Sequence, residues 1–167
     1  MSKQKVKSQV FPKETFLLVG LFLLAFVIRL IYLNQIKSNP YFDTPQIDEL
    51  WHHNWAKEIA GGDFLGKEVF FRAPLYPYFL GIVYTVFGES FYVARLIQIL
   101  IGSLSCVLIY LLGKKLFHRT IGIIASVIAS FYAPLIHFDA QLELPVLEVF
   151  FDLLLFLLLL NAGTKLK

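Results

Sequence analysis

Charged residues are scarce in this chain, and the ones best suited to handle a proton or a phosphate lie between or at the ends of its most apolar stretches. Asp48 and Glu49 stand side by side, and Glu143 lies in Gln141-Leu142-Glu143-Leu144-Pro145. A carboxylate within hydrogen-bond reach of a hydroxyl or amine can act as its general base. Arg72 and Lys67 supply cations to the same region. The planar fork of Arg suits a phosphate, which makes Arg72 the stronger candidate for an anionic ligand and Lys67 the second. Asp48 and Glu49 also open a segment, 48–60, that has helical propensity and is stopped by Gly61-Gly62. Carboxylates at a helix start are favoured by its dipole, so capping and catalysis both remain open for this pair. His52 and His53 are adjacent, and neighbouring positions on a helix point in different directions, which disfavours a joint metal site. The single Cys106 allows no disulfide framework or cysteine-based metal site.

The elements that must position these groups are membrane helices. Of the 167 residues, 57% are hydrophobic and only 16% are charged, a balance suited to lipid. About 20 apolar residues cross a hydrocarbon core as a helix. Spans are predicted over Phe16–Leu33, Phe91–Leu112, Ile121–Ile136 and Leu144–Leu160. The first resembles a secretory signal, but its apolar run is long and no small-residue cleavage pattern follows. Ala73–Gly88 is apolar yet short, with Pro74, Pro77 and several aromatics, so a surface or re-entrant helix is expected there. Charge supports that choice: with four spans, the N-terminal lysines, the Lys114–Arg119 loop and the Lys165–Lys167 tail all face the cytoplasm. The fold class is therefore all-α integral membrane, about four transmembrane helices with surface helices in the first external loop. The chain reads as one membrane module, 1–167, multi-pass in the cell membrane, with both termini cytoplasmic and Asp48 and Glu143 outside. Trp51, Trp55 and Ile59 recur every four residues and are expected to lay an apolar stripe on the membrane.

Charges within spans are costly in lipid. Arg29 and Arg95 lie near span ends and are expected to snorkel to the interface. Glu148 and Asp152 share one face of the fourth span and are expected to face protein or a wet cavity, or to pair with an arginine.

Asp48-Glu49, Gly61-Gly62-Asp63, the string from Phe71 to Tyr78, Phe87-Gly88 and Arg95-Leu96-Ile97-Gln98 occur in an order set against the spans. In this the chain resembles the N-terminal part of GT-C membrane glycosyltransferases. The likeness is to the family 39 type, which includes protein O-mannosyltransferases and lipid A aminoarabinose transferases. The resemblance implies a sugar donor on a polyisoprenyl phosphate and transfer to an acceptor at the external face of the cell envelope. It implies catalytic roles for Asp48, with Glu49 beside it, and for Glu143, with Asp139 as a competitor. Arg72 and Lys67 would then meet the donor phosphate. The lipid-linked sugar is a substrate rather than a cofactor, and a divalent ion bridging Asp48, Glu143 and the phosphate is left open. The partners expected are membrane lipid, the donor and an unidentified acceptor, with no nucleic acid. Relatives of this type are longer, so the expectation includes a further C-terminal region or a partner subunit. A non-catalytic membrane subunit or polyisoprenyl-lipid carrier is the alternative.

Overall fold

A computed structural model describes residues 13–65 and 72–165. Among the described residues the regular structure is helical, in seven helices: α1 Lys13–Ile36, α2 Ile47–Ala60, α3 Leu75–Phe87, α4 Phe91–Leu116, α5 Arg119–Phe131, α6 Ala133–Asp139 and α7 Pro145–Lys165. Three of them, α1, α4 and α7, are long and apolar enough to cross a bilayer, and α5 with α6 forms a fourth, bent candidate. At 13 residues, α3 is about 20 Å long, too short for a roughly 30 Å hydrocarbon core. Its length fits the expected non-spanning helix, and Gly88 closes it at φ 79°, a conformation open to glycine.

The expected continuous span over Ile121–Ile136 is broken. α5 and α6 meet at a 59° bend. Tyr132 is extended at the junction, with ψ 106°. Pro134 lies in the first turn of α6, where its missing N–H is not needed, and its ring would clash with the carbonyl of Ser130 if α5 ran on unbroken, so a new helix starts at Ala133.

The central helix is α4, flanked by α1, α5 and α7. On α1 the buried residues are Leu21, Ala25, Arg29 and Leu33, four apart, while Phe16, Val19, Leu23, Val27 and Ile31 form the outward stripe. This is the periodicity of one helix face packed on protein and the other left to lipid. Ser90 begins α4 by accepting the Val93 N–H, the usual role of an N-cap serine. α7 has the most open surface of the three long spans, with 11% of its apolar stretch buried.

α2 and α3 pack together beside the start of α7. Their shared core contains Ala56, Tyr76, Leu80, Val83, Tyr84, Ala94, Leu142, Val146 and Leu147. A Cβ on Gly81 would come within 2.8 Å of the Ile59 side chain, so glycine permits the close contact of α2 with α3. This alters one expectation: Trp55 and Ile59 are buried in the protein rather than laid on lipid. Burying that stripe against α3 removes it from water as effectively as a membrane surface would.

Two further expectations change. Arg29 does not snorkel. It is fully buried and its Nε bonds Asp139 Oδ2 at 2.6 Å, joining α1 to the end of α6. Arg95 is likewise buried at the head of α4. Carbonyl oxygens replace the water at Arg95, and at Arg29 Asp139 and the Ala25 carbonyl do so for Nε and Nη1, while its Nη2 is buried with no partner among the described residues. On α7, Glu148 and Asp152 are both exposed, Glu148 at the lining of a cavity, and neither forms an ion pair among the described residues, so neither pairs with an arginine there.

Candidate active site

The groups that shape the site lie on helices and loops far apart in sequence. Arg95 Nε donates to the Ala140 carbonyl at 2.9 Å, and its Nη1 donates to the Phe42 carbonyl at 2.7 Å. One turn further along α4, Gln98 Nε2 donates to the Gln141 carbonyl at 2.5 Å, while its Oε1 accepts from the Tyr76 hydroxyl at 2.8 Å. Glu49 Oε1 accepts the Leu142 N–H at 2.9 Å and faces Arg95 Nη2 at 3.8 Å. The α6–α7 loop is thus held by α2 and α4 together, and Glu143 is carried on it. These contacts use backbone acceptors that an irregular buried loop would otherwise leave unpaired.

The result is a cavity of about 260 Å³, lined by Asp48, His52, Arg72, Ala73, Glu143, Leu144, Pro145 and Glu148. Asp48 Oδ1 is 2.7 Å from Arg72 Nη1, with both side chains partly exposed. Just before Asp48, Ile47 has φ 45°, a left-handed conformation seldom adopted by a β-branched residue. Arg72 also lies over the Trp51 ring at 5.6 Å, a cation–π arrangement.

Their surroundings set apart two of the cavity's three carboxylates, Asp48 and Glu143. The hydrogen bond from Arg72 holds the Asp48 carboxyl below the ordinary aspartate range. Burial pushes Glu143 above the ordinary glutamate range, and the charges of Glu49 and Asp48 add to that shift. Arg72 in turn feels both Asp48 and Glu143. An anion entering the cavity would compete with these carboxylates for its guanidinium.

His52 has its proton affinity lowered, first by burial and then by the positive charge of Arg72. Its Nδ1 is buried with no hydrogen-bond partner among the described residues. An unmet buried polar atom of this kind costs about 1–3 kcal/mol. His53 differs: its Nδ1 is 3.0 Å from the Tyr84 hydroxyl and its Nε2 is 3.4 Å from Glu89.

Of the residues singled out in the sequence, Asp48, Arg72 and Glu143 share the cavity, and Glu148 lines it with them. Glu49 is not in its lining, and Lys67 lies outside the described residues. Asp139, the competitor of Glu143, is engaged by Arg29 instead. Sequence reasoning missed the clamp made by Arg95, Gln98 and Tyr76. Its available signal was the spacing of Arg95 and Gln98, which share one face of α4. Among the described residues no group of three or more His, Cys, Asp or Glu side chains is arranged to hold a metal ion.

An all-helical, multi-pass membrane protein with a charged cavity at the head of its spans is the class that fold and site define. The chain belongs to the dolichyl-phosphate-mannose-protein mannosyltransferase family, whose model matches residues 72–167, more than half its length. This bears out the resemblance to membrane glycosyltransferases of the protein O-mannosyltransferase type, a family that draws on a lipid-linked sugar. The matched stretch starts at Arg72 and contains Glu143, while Asp48 and Glu49 precede it. No curated protein and no solved structure matches the chain.

Proposed function

We propose that the chain is the catalytic-cavity module of a glycosyltransferase that moves a sugar from a polyisoprenyl-phosphate donor to an acceptor hydroxyl or amine at the external membrane face. The observation that carries this reading is the cavity, where the Asp48–Arg72 pair and Glu143 share one lining above apolar helices. A lipid phosphate needs a cation at membrane depth, and the acceptor needs a base.

The pairing supports an order of events. Before donor arrives, Arg72 keeps Asp48 ionised but weakly basic. A donor phosphate on Arg72 draws the guanidinium from Asp48 and adds negative charge nearby, and both effects raise the basicity of Asp48. The acceptor oxygen or nitrogen then attacks the anomeric carbon while its proton passes to Asp48. The bond from that carbon to the phosphate oxygen breaks, and its electron pair leaves with the polyisoprenyl phosphate. Glu143, whose proton is held more tightly than usual, hydrogen-bonds the bound sugar or phosphate. Lys67 is proposed as a second phosphate contact, and Glu49 as the support of the loop that carries Glu143.

Membranes containing the protein, given polyisoprenyl-phosphate mannose and candidate acceptors, should release polyisoprenyl phosphate together with a glycosylated product. Asp48→Asn should lower that release by about 10²- to 10⁴-fold, the usual loss on removing a general base. Donor binding with no transfer by the wild-type protein would favour a carrier and defeat the enzyme reading.

A further inference from the structure

His52 stands apart from the other polar groups of the cavity. More than nine-tenths of the residue is buried, it belongs to the lining of the cavity, and its Nδ1 is shielded from solvent with no partner among the described residues. Its neighbour His53 is equally buried but has partners at both ring nitrogens. The lack of a partner at His52 is therefore a property of that position and not of histidines on α2. Natively buried polar atoms are rarely left unmet, and one in a cavity lining points to an occupant. A half-turn about χ2 exchanges Nδ1 with Cδ2 without disturbing the fold, so either ring edge can present the nitrogen.

The surroundings limit what that occupant is. The ring meets Trp51 edge-on at 5.2 Å and Tyr76 at 4.9 Å, giving the group an aromatic frame. Burial first, and then the positive charge of Arg72, oppose a proton on His52, so the imidazole is a neutral donor and acceptor rather than a cation. A neutral imidazole matches a hydroxyl, which also donates and accepts, better than it matches a phosphate. Resting on the function proposed above, the donor phosphate engages Arg72, and the group covalently next to that phosphate is the sugar. We infer that His52 hydrogen-bonds a hydroxyl of the donor sugar and contributes to the preference of the site for a glycosylated over a bare lipid phosphate.

The test measures binding of two probes to the purified full chain in bilayer discs: polyisoprenyl-phosphate mannose and the same polyisoprenyl phosphate without sugar. Wild type should prefer the mannosylated lipid. His52→Phe should reduce that preference by about 5- to 10-fold, the size of one neutral hydrogen bond, while leaving the bare lipid phosphate unaffected. His52→Gln, which restores a donor and an acceptor, should recover part of it. An unchanged preference in His52→Phe, or an equal loss for both lipids, overturns the inference while leaving the proposed function standing. Failure of wild type to bind either lipid defeats the function reading and His52 with it. Ring ¹⁵N shifts of wild-type His52 provide a readout that needs no variant to fold. They should move toward hydrogen-bonded values with the mannosylated lipid alone, and no movement overturns the inference.

Discussion

Glu49→Gln and Asp48→Asn touch adjacent residues and should have opposite consequences. Glu49 is buried, accepts the Leu142 N–H at 2.9 Å and opposes Arg95 at 3.8 Å. Gln keeps an oxygen for the Leu142 amide but removes the charge facing Arg95. Removing one partner of a buried ion pair costs about 3–5 kcal/mol. The contact here is longer than a direct hydrogen bond, and Arg95 retains carbonyl acceptors at 2.9 and 2.7 Å. The expected loss is therefore reduced to about 1–2 kcal/mol. Glu49→Ala also leaves the Leu142 amide unpaired, adding roughly 1–3 kcal/mol. Asp48→Asn acts on a partly exposed pair with Arg72, and its effect on stability should be small. Thermal unfolding in lipid–detergent micelles, alongside turnover per folded molecule, separates the cases. Stability should rank Asp48→Asn above Glu49→Gln above Glu49→Ala, with turnover most impaired in Asp48→Asn. Wild-type stability in Glu49→Gln with turnover abolished would refute the assignment of Glu49 as a clamp and of Asp48 as the base.

Gly102→Ala should destabilise the protein, because its Cβ would land on the Asp139 carboxylate that Arg29 holds; overpacking costs about 1–3 kcal/mol and damage to the buried pair adds to it. A lowered midpoint in the same unfolding assay checks this, and a wild-type midpoint contradicts it. Glu143 has a folded pKa raised above its ordinary 4.5, so its stabilising contribution is full below that value and is lost as pH rises through the folded pKa. Glu143→Gln should flatten this decline, as measured by unfolding midpoints across a mildly acidic to neutral series; an unchanged slope refutes it. In a Cys106→Ala background, a cysteine at position 115 should react with impermeant reagent from the cytoplasmic side, and cysteines at 48 and 143 from the outside. Labelling of position 115 from outside would defeat the four-span topology.

Membership of the membrane class was legible in the sequence because it depends on local quantities: the length of apolar runs and the scarcity of charge within them. The short α3 was legible for the same reason, since no packing lengthens a 13-residue helix. Asp48, Arg72 and Glu143 were legible as residue types in a recognisable order, before any geometry joined them. The different environments of Asp48 and Glu49 were not, because adjacent carboxylates look alike until their partners are known. The partner of Glu49 is 93 residues away, at Leu142, and only the packing of α2 against the α6–α7 loop brings them together. Arg29 and Arg95 illustrate the same limit. By composition each is a charge that should escape to the membrane surface, yet Asp139 holds Arg29 inside and the carbonyls of Ala140 and Phe42 hold Arg95. Apolar length along the chain therefore determined where the helices run, while contacts between distant segments decided which charges became supports and which were left facing the cavity, because an ion's environment depends on what folding places within a few ångströms of it.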